Sequence, residues 1–354
     1  MNVFEIETPA LIIDYDIMKN NSNTMMNCIN KSTAELRPHF KSHKCTEFVK
    51  FQLERGAKGI TCAKLSEAQA VIDSGISCDI LIANQIVEQS KIKRLAKLCK
   101  DNVITVLVDN EINVFDLERA LEKESAKLNV LIEYEIGMER CGVLTESEFY
   151  NLVNIIAKCP HLTFKGIQAY AGHISHEVDE QKRVEIIEQN NAKLKSLLSF
   201  LKERNVNVEI VSGASTGTAM LKMNQGIYNE IQAGSYLFLD DCYNKLGLKF
   251  DNALFVLSSV VSVKDNLAVV DAGVKTVGVD QGLPTVKGVS CSEIVASEEH
   301  FQLHNPSERV KLGQKVLLVP GHCCSTMNLH DSVYLVSGQT VVKKVRIDGR
   351  GYGK

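Results

Sequence analysis

Eight short apolar runs, with stretches of helical spacing between them, set the narrowest limit on what this chain can fold into. The runs cover 35–40, 59–63, 79–83, 105–109, 130–135, 164–170, 209–213 and 230–236, and each is bounded by turn residues. Between them, apolar positions recur with helical period over 46–55, 65–74, 91–99, 114–122, 145–158 and 184–204. Ser66, followed by acidic Glu67, is expected to cap the second of these helices. Eight strands alternating with helices are what a closed (β/α)8 barrel requires. A doubly wound open sheet usually has fewer strands and a glycine-rich first turn, and no G-x-G-x-x-G follows the first run. A further run at 10–14 precedes the eight. Beyond about residue 245 the helical spacing stops, and 255–263, 267–271, 316–319, 333–336 and 341–347 read as strands. The expected fold is therefore α/β: a (β/α)8 TIM-like barrel over 1–245, then a smaller, mainly β domain over 246–354.

Composition narrows the function classes. The chain has 354 residues, 45% hydrophobic and 23% charged, which is ordinary for a globular protein of one large and one smaller domain. A net charge of -3 gives no nucleic-acid footprint. No apolar run is long enough to span a bilayer, so no membrane partner is expected. The first residues, MNVFEIETPALIID, lack a basic-then-apolar signal pattern. The eleven cysteines are odd in number and scattered, which points to a reducing cytoplasm.

In such a barrel the active site lies at the C-terminal ends of the strands. The unusual polar residues of this chain fall there. Lys41 follows the first run within Arg37-Pro38-His39-Phe40-Lys41-Ser42-His43-Lys44. A lysine at the end of a buried strand is costly unless paired, neutral or covalently used. With Arg37, Lys44 and the two histidines as cationic neighbours, its pKa would fall and it could attack a carbonyl. Arg140 follows the fifth run, and the sixth ends in Gln168-Ala169-Tyr170-Ala171-Gly172-His173. The seventh runs into Ser212-Gly213-Ala214-Ser215-Thr216-Gly217-Thr218, and the eighth into Gln232-Ala233-Gly234-Ser235-Tyr236. Small hydroxyl and glycine residues let backbone N–H groups approach an anion, and barrels often hold a phosphate after strands seven and eight. A phosphate seat one strand from a reactive lysine suggests pyridoxal 5'-phosphate, bound through its aldehyde.

These segments, with Thr8-Pro9-Ala10, Gly137-Met138-Glu139-Arg140-Cys141-Gly142-Val143, Asp271-Ala272-Gly273 and Pro320-Gly321-His322-Cys323-Cys324-Ser325-Thr326, make the chain resemble the fold-type III pyridoxal-phosphate enzymes. These are the alanine racemase-like barrels, and the likeness is narrowest to the D-threonine aldolase and D-serine dehydratase group. The resemblance spans nearly the whole chain. It implies that Lys41, not Lys44, carries the cofactor, with Arg140 beside the ring and Tyr170 lining it. The small-residue loops after runs seven and eight, with Ser212, Ser215, Thr216, Gly217, Thr218, Gly234 and Ser235, are the expected seat of the cofactor phosphate. Gln232 stands where alanine racemases place an arginine against the pyridine nitrogen.

His322 and Cys324 lie two residues apart after the 316–319 run. If extended, their side chains share a face and Cys323 points the other way. Imidazole plus thiolate suits zinc, or another divalent metal, and two protein ligands leave the shell open as catalytic sites do. D-threonine aldolase-like members carry aspartate where Cys324 stands, and D-serine dehydratase-like members carry His-x-Cys. The expected function is a metal-dependent lyase acting on small D-β-hydroxy amino acids. Cys324 favours dehydration of D-serine or D-threonine to an oxo acid and ammonia. The alternative is retro-aldol cleavage to glycine and an aldehyde. A racemase or a non-enzymatic cofactor carrier is less favoured. Related barrels suggest a homodimer.

Overall fold

The structure is a computed structural model that describes residues 1–353. The regular elements begin with β1 (Ala10–Asp14), α1 (Tyr15–Ile29), β2 (Glu35–Leu36), α2 (Thr46–Leu53), β3 (Gly59–Cys62) and α3 (Leu65–Asp73). There follow β4 (Asp79–Gln85), α4 (Gln89–Leu98), β5 (Ile104–Val108), α5 (Glu111–Glu124), β6 (Leu128–Glu133), α6 (Glu146–Ile156), β7 (Leu162–Ala169), α7 (Glu180–Lys202), β8 (Ile210–Gly213), α8 (Ala219–Lys222) and β9 (Glu230–Ile231). Next come α9 (Asp241–Asn244), β10 (Leu254–Lys264), β11 (Leu267–Val270), β12 (Thr285–Val286), β13 (Glu293–Ala296), β14 (Phe301–His304) and β15 (Lys315–Val319). The last are α10 (Cys323–Leu329), β16 (Ser332–Ser337) and β17 (Thr340–Arg346).

The chain divides into two compact units. The barrel unit is built mainly from Met26–Lys41 and Val49–Gly234. Its eight strands run β2-β9-β8-β7-β6-β5-β4-β3, every neighbouring pair parallel. The ends of this path meet: Lys58 N–H donates to Leu36 O (2.9 Å), Thr61 N–H to Pro38 O (2.9 Å), and His39 bridges Thr61. The expected (β/α)8 barrel is thus nearly closed. The first strand is shorter than expected because Pro38 has no N–H for a ladder. Leu81, Leu107 and Leu131 from three adjacent strands form one apolar cluster. Beside the apolar residues sits a buried ion pair: Arg37 Nε lies 2.8 Å from Glu230 Oε2, and Arg37 Nη2 lies 3.0 Å from Asp79 Oδ2. Ser66 does not cap α3. The N-cap is Lys64, without a side-chain bond, and Ser66 lies inside the first turn.

The second unit is built from Met1–Met25, Ser42–Phe48 and Ser235–Gly351. Its sheet runs β13-β14-β11-β10-β1-β16-β17, with β15 pairing β10 and β12 pairing β15. Strand β1 is antiparallel to β10 and parallel to β16. The early apolar run therefore joins strands more than 200 residues later in sequence, a pairing that no local pattern reveals. Val3, Ile6, Ile12, Phe255, Leu257 and Val336 bury together on this sheet. The helical spacing does not stop entirely after residue 245: α10 is a helix of seven residues, too short to show a period. No helix among the described residues is long and apolar enough to cross a membrane, and all eleven cysteines are free thiols.

Candidate active site

A cavity of about 300 Å³ opens at the C-terminal strand ends of the barrel unit, lined among others by His39, Lys41, Gln85, Glu133, Arg140, Gln168, Tyr170 and Gln232. Gln85 and Glu133 end β4 and β6, Gln168 and Tyr170 come from the end of β7, and Gln232 directly follows β9. Of the expected residues, Lys41, Arg140, Tyr170 and Gln232 thus meet in one place. Lys41 is half-buried in the 3-10 turn Phe40–Ser42 rather than at the end of a strand. Its Nζ lies 5.6 Å from the centroid of the Tyr170 ring, and Arg140 Cζ lies 6.0 Å from the same centroid.

The expected cationic surroundings of Lys41 need correction. Arg37 is committed to Glu230 and Asp79, so two carboxylates compensate its charge. Lys44 belongs to the second unit, where its carbonyl accepts the Gly349 N–H (2.7 Å), and His43 packs edge-on against Phe48 and Phe238. His39 remains on the cavity wall, and its Nδ1 accepts the Lys41 N–H at 3.4 Å.

Two carboxylates organise the turn that carries Arg140. Glu135 Oε1 accepts the N–H groups of Gly137 and Met138, the latter at 2.6 Å. Asp109 Oδ2 accepts the Gly142 N–H at 2.9 Å. Gly142 has φ +106°, and a Cβ there would stand 2.9 Å from Glu135 N, so the turn closes only on glycine. Gln85 Nε2 donates to Asp109 Oδ2 (3.2 Å) and to Glu133 Oε2, tying two acids together. Burial pushes the Glu133 carboxyl up. Gln85 and Arg140 oppose the shift, while Asp109 and Glu135 add to it. Burial also works to raise Glu135, but the N–H groups of residues 137–140 outweigh it and hold that carboxylate low.

Gln232 Nε2 donates to Gln168 Oε1 (2.7 Å) and Ser212 Oγ (2.8 Å), and Ser212 Oγ donates to Glu230 Oε1 (2.6 Å). The amide N–H groups of Gln232 and the Ser212 hydroxyl are therefore engaged in the barrel interior. In the following loop, the Ser215 N–H donates to Thr218 Oγ1 (3.0 Å), and Ser215 O accepts from the Thr218 and Ala219 N–H groups. Ser215, Thr216, Gly217 and Thr218 are all buried but do not line the Lys41 cavity. Gly234 ends the barrel unit and Ser235 opens the second, where its hydroxyl lies 3.5 Å from Cys324 Sγ.

In the second unit, His322 has extended backbone and forms the N-cap of α10, while Cys323 and Cys324 are its first helical residues. The expectation of a fully extended segment is thus wrong. Cys323 does not point away from its neighbour: the two Sγ atoms are 3.9 Å apart. His322 Nδ1 pairs with Asp280 Oδ2 at 2.6 Å, and Ser325 Oγ donates to the other oxygen of Asp280. The Cys323 N–H donates to Asp240 Oδ2 at 2.8 Å, and Asp240 Oδ1 caps α9. Burial lowers His322, yet its hydrogen bond and charge contact with Cys324, together with Asp280, outweigh that and raise it to about 9. Cys324 is held well below the usual thiol range, first by the Cys323 thiol and then by His322 against the cost of burial. A thiolate and an imidazole oriented through Nδ1 can ligate a divalent cation through Sγ and Nε2. Among the described residues no third His, Cys, Asp or Glu completes such a group.

Sequence reasoning missed Glu133, Gln85 and Asp280. An acid within the apolar run 130–135 was a usable signal for Glu133, since a charge in a buried strand is rarely idle. Asp280 had none, being 42 residues from His322 with no motif around it.

Comparison with known proteins agrees with this geometry. Residues 13–241 match the alanine racemase N-terminal domain, and residues 253–336 match the putative serine dehydratase domain. The chain is 38% identical to 3-hydroxy-D-aspartate aldolase of Paracoccus denitrificans (strain Pd 1222), over 100% of this chain and 94% of that protein. It is 33% identical to D-threonine aldolase of an Arthrobacter species, covering 99% and 94%. The crystal structure of D-threonine aldolase from Filomicrobium marinum superposes with a TM-score of 0.95 at 34% identity, covering 99% of this chain and 98% of that one. The chain belongs to the alanine racemase-like barrel family of pyridoxal-phosphate enzymes, in the group whose barrel is followed by a serine dehydratase-type domain.

Proposed function

We propose that this protein is a pyridoxal-phosphate-dependent lyase acting on D-β-hydroxy amino acids. The observation that carries the reading is the convergence of Lys41, Arg140, Tyr170 and Gln232 on one cavity at the strand ends. The residues present suit the cofactor: a half-buried amine, a flat aromatic wall and a small-residue loop. When bound, pyridoxal 5'-phosphate supplies an electron sink for the charge left as a bond at the substrate α-carbon breaks. Lys41 would hold the cofactor aldehyde, and its ε-amine is the group placed to take or return a proton at the substrate α-carbon. The Tyr170 ring gives a planar wall, and Arg140 places positive charge at the rim. Glu133, whose carboxyl is pushed up by burial, lines the same cavity and is held by Gln85. Ser212 fixes Gln232, and Ser215, Thr216, Gly217, Thr218 and Gly234, with the adjoining Ser235, serve the phosphate.

The functional division places the cofactor on 1–245 and a metal on 246–354. His322 and Cys324 would hold zinc or another divalent cation, which supplies a Lewis acid for a hydroxyl. Water or substrate would complete its shell. The protein would work in the cytoplasm as a homodimer.

Two outcomes remain chemically open to these parts. Whole-length similarity to aldolases supports cleavage of the Cα–Cβ bond to glycine and an aldehyde. Cys324, with the serine dehydratase-type match around it, supports loss of the hydroxyl to give an oxo acid and ammonia. Product analysis with D-serine, D-threonine and 3-hydroxy-D-aspartate, against their L-forms, decides between them. Glycine with aldehyde means cleavage, and ammonia with oxo acid means dehydration. Turnover of the L-forms alone, or of none, rejects the proposal. Activity should fall on chelation and return with zinc, and Cys324→Ala should carry no stoichiometric metal by elemental analysis.

A further inference from the structure

Lys222 is wholly buried at the end of α8, and its backbone N–H donates to Thr218 O at 3.0 Å. Its Nζ donates to Tyr228 Oη at 3.0 Å, and Tyr228 Oη in turn donates to Ala169 O at 3.2 Å. No carboxylate pairs with it among the described residues, in contrast to Arg37, another deeply buried cation of this unit, which has two. An ammonium kept from water without a counter-ion is among the costlier things a fold can hold.

The surroundings of Lys222 connect it to the loop that follows β8. The Tyr228 ring lies directly against Gly213, where a Cβ would stand 2.8 Å from Tyr228 Cε1. Lys222 Nζ sits 4.5 Å from the centroid of that same ring. The Lys222 amine, the phenol ring and Gly213, the last residue of β8 at the root of the loop, are therefore contiguous. The remaining titratable group under its influence is His173, after β7. Burial lowers His173 first and the Lys222 charge lowers it further, while Glu135 raises it. Burial alone pushes the Tyr228 phenol up, so it remains a neutral partner.

We propose that Lys222 is a positioning residue for the cofactor, storing the counter-charge behind the loop 213–218 for the phosphate that this loop receives. The inference rests on the reading of the barrel as a pyridoxal-phosphate site. Burial brings the Lys222 amine down to about 7, which favours its neutral form at pH 8. Arrival of a phosphate dianion favours the ammonium, and Nζ takes the missing proton from the buffer.

The test is calorimetric titration of the full-length, cofactor-free chain with pyridoxine 5'-phosphate at pH 8, in two buffers of different ionisation heat. This probe has no aldehyde, so Lys41 chemistry is silent. Wild-type protein should take up about one proton per chain on binding. Lys222→Met should bind the probe about 10- to 100-fold more weakly, the worth of one charge-assisted contact, with no proton uptake. Proton-neutral binding to the wild type overturns the inference without recourse to any variant. Equal affinity and equal proton uptake in Lys222→Met overturns it too. The underlying cofactor reading is checked separately: pyridoxal 5'-phosphate added to wild type should give a visible absorbance band. A normal band with proton-neutral binding rejects the role of Lys222 alone, whereas no band rejects the cofactor reading and this inference together.

Discussion

The barrel cavity and the His322–Cys324 pair are built on opposite principles. The cavity gathers single side chains from the ends of β4, β6, β7 and β9, positions far apart in sequence that the closed sheet brings together. The pair comes from one helical turn and is steadied by acids from elsewhere, Asp280 on the imidazole and Asp240 on the Cys323 N–H. The wall residues also brace one another, Gln85 on Glu133 and Gln232 on Gln168, so the cavity is held by several strands at once. A two-residue ligand set has no such redundancy and depends on whatever orients it.

The largest effect should come from the cavity. Lys41→Ala should lower turnover by about 10³-fold or more, measured under saturating substrate, while leaving the fold intact by circular dichroism. Intact turnover in that variant would break the contrast at its root. Next, Arg37→Met leaves Glu230 buried without its cation, and should cost about 3–5 kcal/mol of stability in denaturant unfolding. A loss within error would mean that the strand ends do not depend on this ion pair. For the second unit, Asp280→Asn should weaken zinc affinity about 10- to 100-fold by competition with a chromogenic chelator. No change would show that the imidazole needs no orientation.

The smallest effect concerns pH. Lys222 is lowered to about 7 in the fold from 10.5 when free, so between these values the unfolded chain binds more protons. The Lys222 contribution to the stability of the cofactor-free protein should therefore rise with pH across that window, by at most about 1.4 kcal/mol per pH unit. Chemical denaturation at pH 7, 8 and 9 reads this slope, and Lys222→Met should flatten it. A slope that Lys222→Met leaves unchanged would contradict the burial of an uncompensated amine; the comparison is needed because His322, raised to about 9, contributes the opposite slope over the same window.

What could be read from the sequence follows the same division. The alternation of runs and helical spacing is a repeated local signal, and it placed Lys41, Arg140, Tyr170 and Gln232 in segments after strands that the structure brings to one cavity. The partners of Arg37 were not legible, because Asp79 and Glu230 are brought to it only when the barrel closes. Arg37 was thus misread as a neighbour tuning Lys41. His322 and Cys324 were visible as a short motif, yet their backbone was not. Seven helical residues carry too little period to be told from a strand end. Strand β1 was visible as a strand but not as a member of the second sheet, since its pairing with β10 is wholly non-local.

The most direct measurement is reduction of the cofactor-loaded protein with borohydride, followed by peptide mass spectrometry. A pyridoxyl group on the peptide containing Lys41, at about one per chain, is the expected result. A label on Lys44, Lys64 or another lysine, or no label at all despite a visible absorbance band, would contradict the assignment of this barrel's chemistry to Lys41.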